Sequence, residues 1–179
     1  MTCIVGLVEN NKVYIGGDSA GVAGLSLMKR ADEKVFKKDE FIFGFTSSFR
    51  MGQLIRYKLQ IPKIEQDQDI DDYIHTKFLD AVIGCFRSNN FASVENNEIL
   101  GGCFLFGFKG KLYSIESDFQ VGKPLSNFHA VGCGNHIALG CLYGLRFSNK
   151  QPIDKVKIAL EAAEEFSAGV RGPFNIVEL

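Results

Sequence analysis

Thr2-Cys3-Ile4-Val5-Gly6-Leu7-Val8-Glu9-Asn10-Asn11-Lys12-Val13-Tyr14-Ile15-Gly16-Gly17-Asp18 is the stretch from which the rest is read. Cys3 to Val8 is a nearly continuous apolar run, the pattern of a strand covered on both faces. Glu9-Asn10-Asn11-Lys12 is a turn, because Asn tolerates the positive φ that tight hairpins require. Val13-Tyr14-Ile15 forms the return strand and ends at Gly16-Gly17.

Downstream, Val35-Phe36 and Phe41 to Phe45 read as two short strands around the polar turn Lys37 to Glu40. Then the period changes. Met51, Leu54, Ile55 and Leu59 fall at helical spacing, closed by Pro62. Ile70, Tyr73, Ile74, Phe78, Ala81, Val82 and Cys85 make a longer helical stripe, with Asp69, Asp71 and Asp72 where the helix dipole favours negative charge. Ser88 to Glu98 is polar and reads as a loop. Strands return at Gly102 to Phe108 and Lys111 to Glu116, joined at Lys109-Gly110, and again at His129-Ala130-Val131. Gly132-Cys133-Gly134 is a bend. Ile137 to Leu145 and a segment opened by Pro152 are helical, and Phe174 to Val177 is a last strand.

The order is strands, two helices, strands, two helices, one strand, with no linker or repeat. One domain over residues 1–179 is the expectation. A four-layer αββα sandwich, two antiparallel sheets each flanked by a helix pair, buries both faces of every element. A two-layer α+β domain is the alternative.

Composition narrows the function. The 179 residues carry 20 basic and 21 acidic side chains, so nucleic acid is not the expected main partner. No apolar run reaches the roughly 18–20 residues of a membrane span. The start of the chain has no charged leader, so the expected location is the cytoplasm. Five cysteines without a CxxC pair, and three histidines, point to reduced thiols rather than a zinc site. Sixteen Phe and no Trp imply a core filled by rings that need no polar partner.

The chemistry begins at Thr2. Methionine aminopeptidase removes Met1 before a small side chain, which would leave an N-terminal threonine. Its hydroxyl is a nucleophile, and its α-amine, titrating near about pH 8, can take the hydroxyl proton. Asp18 follows Gly16-Gly17 at the end of the second strand, and Lys34 precedes Val35-Phe36. A buried Lys beside Thr2 would stabilise the developing alkoxide and lower the amine pKa, with Asp18 as its counter-charge.

Thr2 to Gly6 and Ile15-Gly16-Gly17-Asp18 resemble the opening of proteasome β-subunits and of HslV, their bacterial counterpart. Met28-Lys29 and Glu33-Lys34-Val35 are similar to HslV at the same offsets. Ala130 to Gly134 with Ala138-Leu139-Gly140 resembles the family's turn and helix. Ala159 to Leu179 is similar to the HslV C-terminal segment. The resemblance implies an N-terminal-nucleophile (Ntn) hydrolase of αββα fold and threonine-type peptidase activity. In that reading Thr2 attacks the peptide carbonyl, Lys34 tunes it and Asp18 holds Lys34. Thr46-Ser47 stands where the family has Ala-Gly, so the Ser47 N–H is the implied oxyanion donor. Cys133 replaces a Ser near the nucleophile. Gly21, Asp32 and Thr46 line the substrate pocket by family position. Ser167 stands where the proteasome has an Asp. The carbonyls of Glu164, Ser167 and Val170 match positions where HslV-like proteins hold a monovalent cation; no cofactor is otherwise required.

The implied assembly is a homo-oligomer of stacked rings enclosing the sites. A separate ATP-dependent unfoldase is the implied partner, since no GxxxxGK[ST] loop occurs in the chain. Two other classes compete: a catalytically silent ring or scaffold subunit, and an Ntn amidase for small amides. Cys3 as a nucleophile and a Cys133–His136 dyad are weaker readings, set against a buried strand residue and a small turn residue.

Overall fold

The computed structural model describes residues 1–95 and 98–179. The opening hairpin pairs β1 (Cys3–Glu9) with β2 (Lys12–Gly17) antiparallel, closing on Glu9 opposite Lys12. Asn10 and Asn11 both take positive φ, 53° and 59°, the two-residue turn whose twist matches the strands. The chain continues through β3 (Ala20–Ala23), β4 (Ser26–Lys29), β5 (Val35–Lys38) and β6 (Phe41–Phe45). After α1 (Phe49–Tyr57), α2 (Ile70–Tyr73) runs through a π-helical turn at Ile74–Phe78 into α3 (Leu79–Ser88). Then come β7 (Ser93–Glu95), β8 (Glu98–Leu100), β9 (Phe104–Phe108), β10 (Lys111–Ile115), β11 (Val121–Gly122) and β12 (Phe128–Gly132). The chain finishes with α4 (Asn135–Leu145), α5 (Pro152–Phe166) and β13 (Asn175–Glu178).

One antiparallel sheet has the order β12-β1-β2-β13 and another the order β11-β10-β9-β6-β5. Strand alternation decides what each face meets. Cys3, Val5 and Leu7 of β1 pack with Ala138, Leu142, Val156 and Leu160 of α4 and α5. Ile4, from the opposite face, packs with Ile15, Val35, Ile42 and Leu105, so that cluster joins the two sheets. A third cluster sets Phe41, Phe43, Phe104, Phe106 and Phe108 against Leu54, Ile74, Phe78 and Val82 of the first helices. The Phe41 ring lies 4.2 Å from Phe108 and 4.9 Å from Phe78, centroid to centroid. The sheets approach closely at Gly44, where a Cβ would stand 2.5 Å from Ile4 Cγ2.

Several stretches depart from the sequence reading, among them the short β11, which it did not contain. Residues 88–98, read as a loop, contain the end of α3 and the β7–β8 ribbon, joined across 96–97, which lie outside the described residues. The ribbon has one apolar pair, Val94 opposite Ile99, too little for a period-two signal. The β3–β4 hairpin escaped notice because all four residues of β4 are exposed. Lys37 and Lys38, placed in a turn, extend β5, and the turn narrows to Asp39 and Glu40, with Asp39 at φ 50°.

The N-terminus of α2 is tied to the sheet by Asp71. Its carboxylate accepts the Lys123 ammonium at 2.6 Å and the Tyr113 hydroxyl at 2.8 Å, with Lys111 at 3.5 Å. Chiefly through the Lys123 bond, these hold the Asp71 carboxyl down to about 2. A carboxyl depressed on folding contributes stability above its unfolded pKa and loses it as pH falls toward the folded value. The side chain is 37% exposed, so solvent screening limits the effect. Asp71→Asn is expected to cost about 1 kcal/mol at neutral pH. Most of that difference from the parent should vanish between about pH 4 and 2. Denaturant unfolding of both proteins across that range checks it.

Candidate active site

β1 and β2 bring Thr2 and Asp18 to the same end of their sheet, because the hairpin places Ile4 opposite Gly17. Lys34 enters from the neighbouring sheet, one residue before β5. Thr2, Asp18 and Lys34 are 4, 2 and 2% exposed. Lys34 Nζ donates to Thr2 Oγ1 at 2.9 Å and to Asp18 Oδ1 at 2.9 Å. Asp18 also accepts the Cys3 N–H at 3.0 Å, the Ala20 N–H at 2.9 Å and the Arg171 N–H at 3.3 Å. Burial pushes the Lys34 pKa below the usual lysine value, and the Asp18 charge opposes that shift. Lys34 Nζ thus bridges the threonine hydroxyl and the carboxylate.

Around Thr2 the bend at Gly132-Cys133-Gly134 closes tightly. Gly132 has φ 99°, and a Cβ there would stand 2.3 Å from the Thr2 carbonyl oxygen. The Thr2 N–H donates to Cys133 Sγ at 3.3 Å, and the thiol lies 3.4 Å from the Thr2 carbonyl and 3.6 Å from Ser167 Oγ. With Met1 attached, the Thr2 nitrogen is an amide, and the Thr2 hydroxyl donates to the Met1 carbonyl.

Ser47 sits just after β6 with φ 65°, a conformation a non-glycine residue rarely takes. Its hydroxyl accepts the Cys103 N–H at 3.1 Å, which holds the turn. No hydrogen bond from the Ser47 N–H is found among the described residues. The positive φ and the Cys103 contact were invisible to sequence reading, although an Ala-Gly pair at that place in the resembling family points to a position that suits glycine.

The pocket residues separate. Thr46 lines a cavity of about 80 Å³ beside Thr2 and Lys34, but that cavity is bordered by Val22 rather than Gly21. Asp32 does not line it; its carboxylate receives Arg30 Nε at 2.6 Å, and the Arg30 guanidinium lies 3.9 Å over the Phe49 ring. Phe49, which sequence reading passed over, does line the cavity. On the other side of Met1, a wider cleft of about 510 Å³ runs past Ser47, Cys103, His129 and Cys133.

Of the cation positions, the Ser167 carbonyl accepts the Val170 N–H at 3.1 Å. The Glu164 carboxylate is engaged by the Gly172 N–H at 3.1 Å and by Arg171. Two of the acceptors at these positions, the Ser167 carbonyl and the Glu164 carboxylate, are therefore already engaged. Among the described residues no three His, Cys, Asp or Glu side chains gather as metal ligands. Cys3 is fully buried, and burial raises its thiol to about 12, as a strand residue rather than a nucleophile. No hydrogen bond joins Cys133 to His136 among the described residues.

No family model and no curated protein matches the chain by sequence. Solved structures match its fold over nearly its whole length. BPH from Thiobacillus denitrificans, solved free and in complex with epoxomicin, has a TM-score of 0.80 at 15% identity, over 99% of this chain and 97% of that one. HslV from Trypanosoma brucei has a TM-score of 0.71 at 15% identity, over 99 and 98% of the two chains. A Gly-1 mutant of Anbu from Hyphomicrobium sp. strain MC1 has a TM-score of 0.70 at 14% identity, over 100 and 82%. The proteasome-β/HslV-like fold that the sequence resembles is therefore the fold of this chain, a mixed α/β arrangement of antiparallel sheets and helices.

Asp18→Asn strands the Lys34 ammonium in a dry site, and an unpaired buried charge costs about 3–5 kcal/mol. In that variant the folded lysine pKa falls further below the unfolded one, so the folded state binds fewer protons and the loss shrinks as pH rises. Denaturant midpoints at pH 7 and 9.5 are expected to differ in that direction; equal midpoints would contradict an uncompensated lysine.

Proposed function

We propose that the chain is a threonine-type peptidase subunit whose nucleophile is Thr2 after loss of Met1. The observation that carries this is Lys34 Nζ donating to both Thr2 Oγ1 and Asp18 Oδ1 at 2.9 Å in a nearly solvent-free pocket. A buried ion pair is weak evidence for stability as such, so its placement on a hydroxyl calls for a chemical reason.

In the reaction, the free Thr2 α-amine takes the hydroxyl proton as Thr2 Oγ1 bonds to the substrate carbonyl carbon. The oxyanion of the tetrahedral intermediate accepts the Ser47 N–H, a backbone donor that a side-chain difference does not remove. The amine returns the proton to the leaving nitrogen as the C–N bond breaks, leaving an ester on Thr2. Water, deprotonated by the same amine, cleaves the ester and restores the hydroxyl. Lys34 supplies fixed positive charge beside the developing alkoxide, and Asp18 keeps it charged. Cys133 faces the amine, where a thiol is a poorer hydrogen-bond partner than a hydroxyl.

The three cores support a four-layer αββα sandwich, with the inter-sheet cluster as the middle seam. By analogy with the HslV-like fold, the subunit works in homo-oligomeric stacked rings in the cytoplasm, acting on unfolded polypeptides fed by a separate ATP-dependent unfoldase. A monovalent cation at the carbonyls of Glu164, Ser167 and Val170 takes no part in the reaction steps. In the silent-subunit reading Met1 stays in place, so the Thr2 nitrogen is an amide and no amine base exists.

Intact mass and N-terminal sequencing, with and without a peptide epoxyketone, decide between them. The expected result is loss of Met1 and a one-to-one adduct that Thr2→Ala abolishes. Retained Met1 with no adduct would sink the peptidase reading in favour of the silent subunit. Cys133→Ser is expected to speed adduct formation a few-fold.

A further inference from the structure

We infer that loss of Met1 turns Cys133 into the reactive thiol of the chain, a thiolate paired with the Thr2 ammonium, and that a low-molecular-weight disulfide modifying it there shuts Thr2 off. The inference takes the loss of Met1 from the peptidase reading but needs no peptidase activity. Of the five cysteines Cys133 alone is exposed; Cys3 is buried, and Cys85, Cys103 and Cys141 are half-buried. Burial pushes those four thiols up, Cys3 to about 12. Cys133 Sγ stands 3.3 Å from the Thr2 nitrogen. With Met1 attached, that nitrogen is an amide donating to the sulfur, while the thiol donates to the Thr2 carbonyl at 3.4 Å, a neutral pair. Without Met1 it is an α-amine. The Gly134 N–H on the Thr2 carbonyl and Lys34 on the Thr2 hydroxyl keep the residue in place when Met1 leaves. In peptides an α-amine titrates near about pH 8 and a thiol near about pH 8.5, so at this distance the thiol proton passes to the amine and leaves thiolate beside ammonium.

The surroundings favour the charged form. Cys133 directly precedes α4, whose N-cap Gly134 makes no side-chain cap and whose first turn holds no acidic residue, so the positive end of the helix dipole is beside it. Ser167 Oγ, just past the end of α5, lies 3.6 Å from the sulfur and can donate to a thiolate. Lys34 adds positive charge that its partner Asp18 offsets. Glu164 near the end of α5 is paired with Arg171, and His136 on α4 is exposed to water. Glu116 and His129 line the cleft beside Cys133; burial lowers the His129 pKa, so the imidazole is neutral near pH 7 and Glu116 is the charge there that opposes a thiolate. Access does not depend on losing Met1. Cys133 is exposed with Met1 attached, and the two side chains flank Gly169, where a Cβ would stand 2.6 Å from Cys133 Sγ and 2.6 Å from Met1 Cβ. In the step, the thiolate attacks one sulfur of glutathione disulfide; a new S–S bond forms as the old one breaks, and glutathione thiolate leaves. The glutathionyl group then sits on the sulfur that touches the amine and keeps the amine from taking the Thr2 hydroxyl proton.

The test uses the whole chain released in vitro from an N-terminal fusion with either Met1 or Thr2 as its first residue, each also as Cys133→Ser. Ultraviolet thiolate absorbance at pH 7, which does not depend on access, is expected in the Thr2-first chain and absent from the Met1-first chain and both Cys133→Ser chains. Iodoacetamide alkylation mapped to Cys133 should run at least about tenfold faster in the Thr2-first chain than in the Met1-first chain. Glutathione disulfide should add one glutathionyl group to the Thr2-first chain, on Cys133, and slow epoxyketone capture at Thr2 at least about tenfold. Dithiothreitol should reverse that loss, and Cys133→Ser should not show it. Equal thiolate absorbance in the Met1-first and Thr2-first chains overturns the ion pair, whatever the alkylation rates, and leaves the Thr2 reading standing. No glutathionyl group, one on another cysteine, or one on Cys133 without effect on capture overturns the switch. If the untreated Thr2-first chain takes no epoxyketone, the peptidase reading fails; the thiolate absorbance and the mapped glutathionyl group then decide the site by themselves.

Discussion

The Asp18 carboxylate is the point on which site and fold both depend. It is buried with Lys34, and burying two charges costs several kcal/mol for each ion before any attraction is counted. What offsets that cost here is a full set of partners. Besides Lys34, the carboxylate accepts N–H groups from Cys3 in β1, Ala20 in β3 and Arg171 before β13. Cys3 and Arg171 lie 15 and 153 residues from Asp18, so the carboxylate ties the start of the chain to its last segment at one place. Of the three N–H groups of the Lys34 ammonium, one reaches Asp18 and one the Thr2 hydroxyl. A hydrophobic pair of similar volume could serve stability as well or better, so the charges are better explained by the hydroxyl between them.

How much of this could be read from sequence depends on how local the cause was. The Asn10-Asn11 and Lys109-Gly110 turns are set by residues that tolerate positive φ, and both appear as read. The helical stripe from Ile70 to Cys85 was legible because one face meets a continuous Phe-rich sheet. The β3–β4 and β7–β8 ribbons were not, since β4 is exposed throughout and the β7–β8 ribbon has a single apolar cross-strand pair. Within the site, Thr2, Asp18 and Lys34 stand out by their offsets from strand ends. Ser167 beside Cys133 and Ser47 bonded to Cys103 are products of tertiary placement, with spacings of 34 and 56 residues that no local pattern encodes.

Ser47 shows how strain and function meet. A non-glycine residue at φ 65° costs of order 1–3 kcal/mol unless its surroundings impose it. Here they do: the Cys103 N–H bonds the Ser47 hydroxyl, the Thr46 N–H bonds the Cys103 carbonyl, and Ser48 caps α1 directly afterwards. The turn is thus anchored on Cys103, just before β9, and on a helix ahead. Among the described residues no hydrogen bond from the Ser47 N–H is found, the condition an oxyanion donor requires.

The phenylalanine core reaches the site through the same short segment. Phe45 ends β6 among the rings of the helix-facing cluster, and Phe49 stands against it four residues later at the cavity wall. Pocket size is therefore an extension of core packing, not a property of a free loop. Gly52 is what allows it: only a residue without a Cβ lets α1 lie flat against the Phe45 ring. A wall built this way resists gradual enlargement, because close-packed interiors transmit a displacement to their neighbours rather than absorb it. Widening the cavity by moving Phe45 would disturb α1 and the sheet beneath it, whereas trimming Phe49 removes only a half-buried ring at the edge of the core. Position 49 can then change with little demand on the rest of the structure.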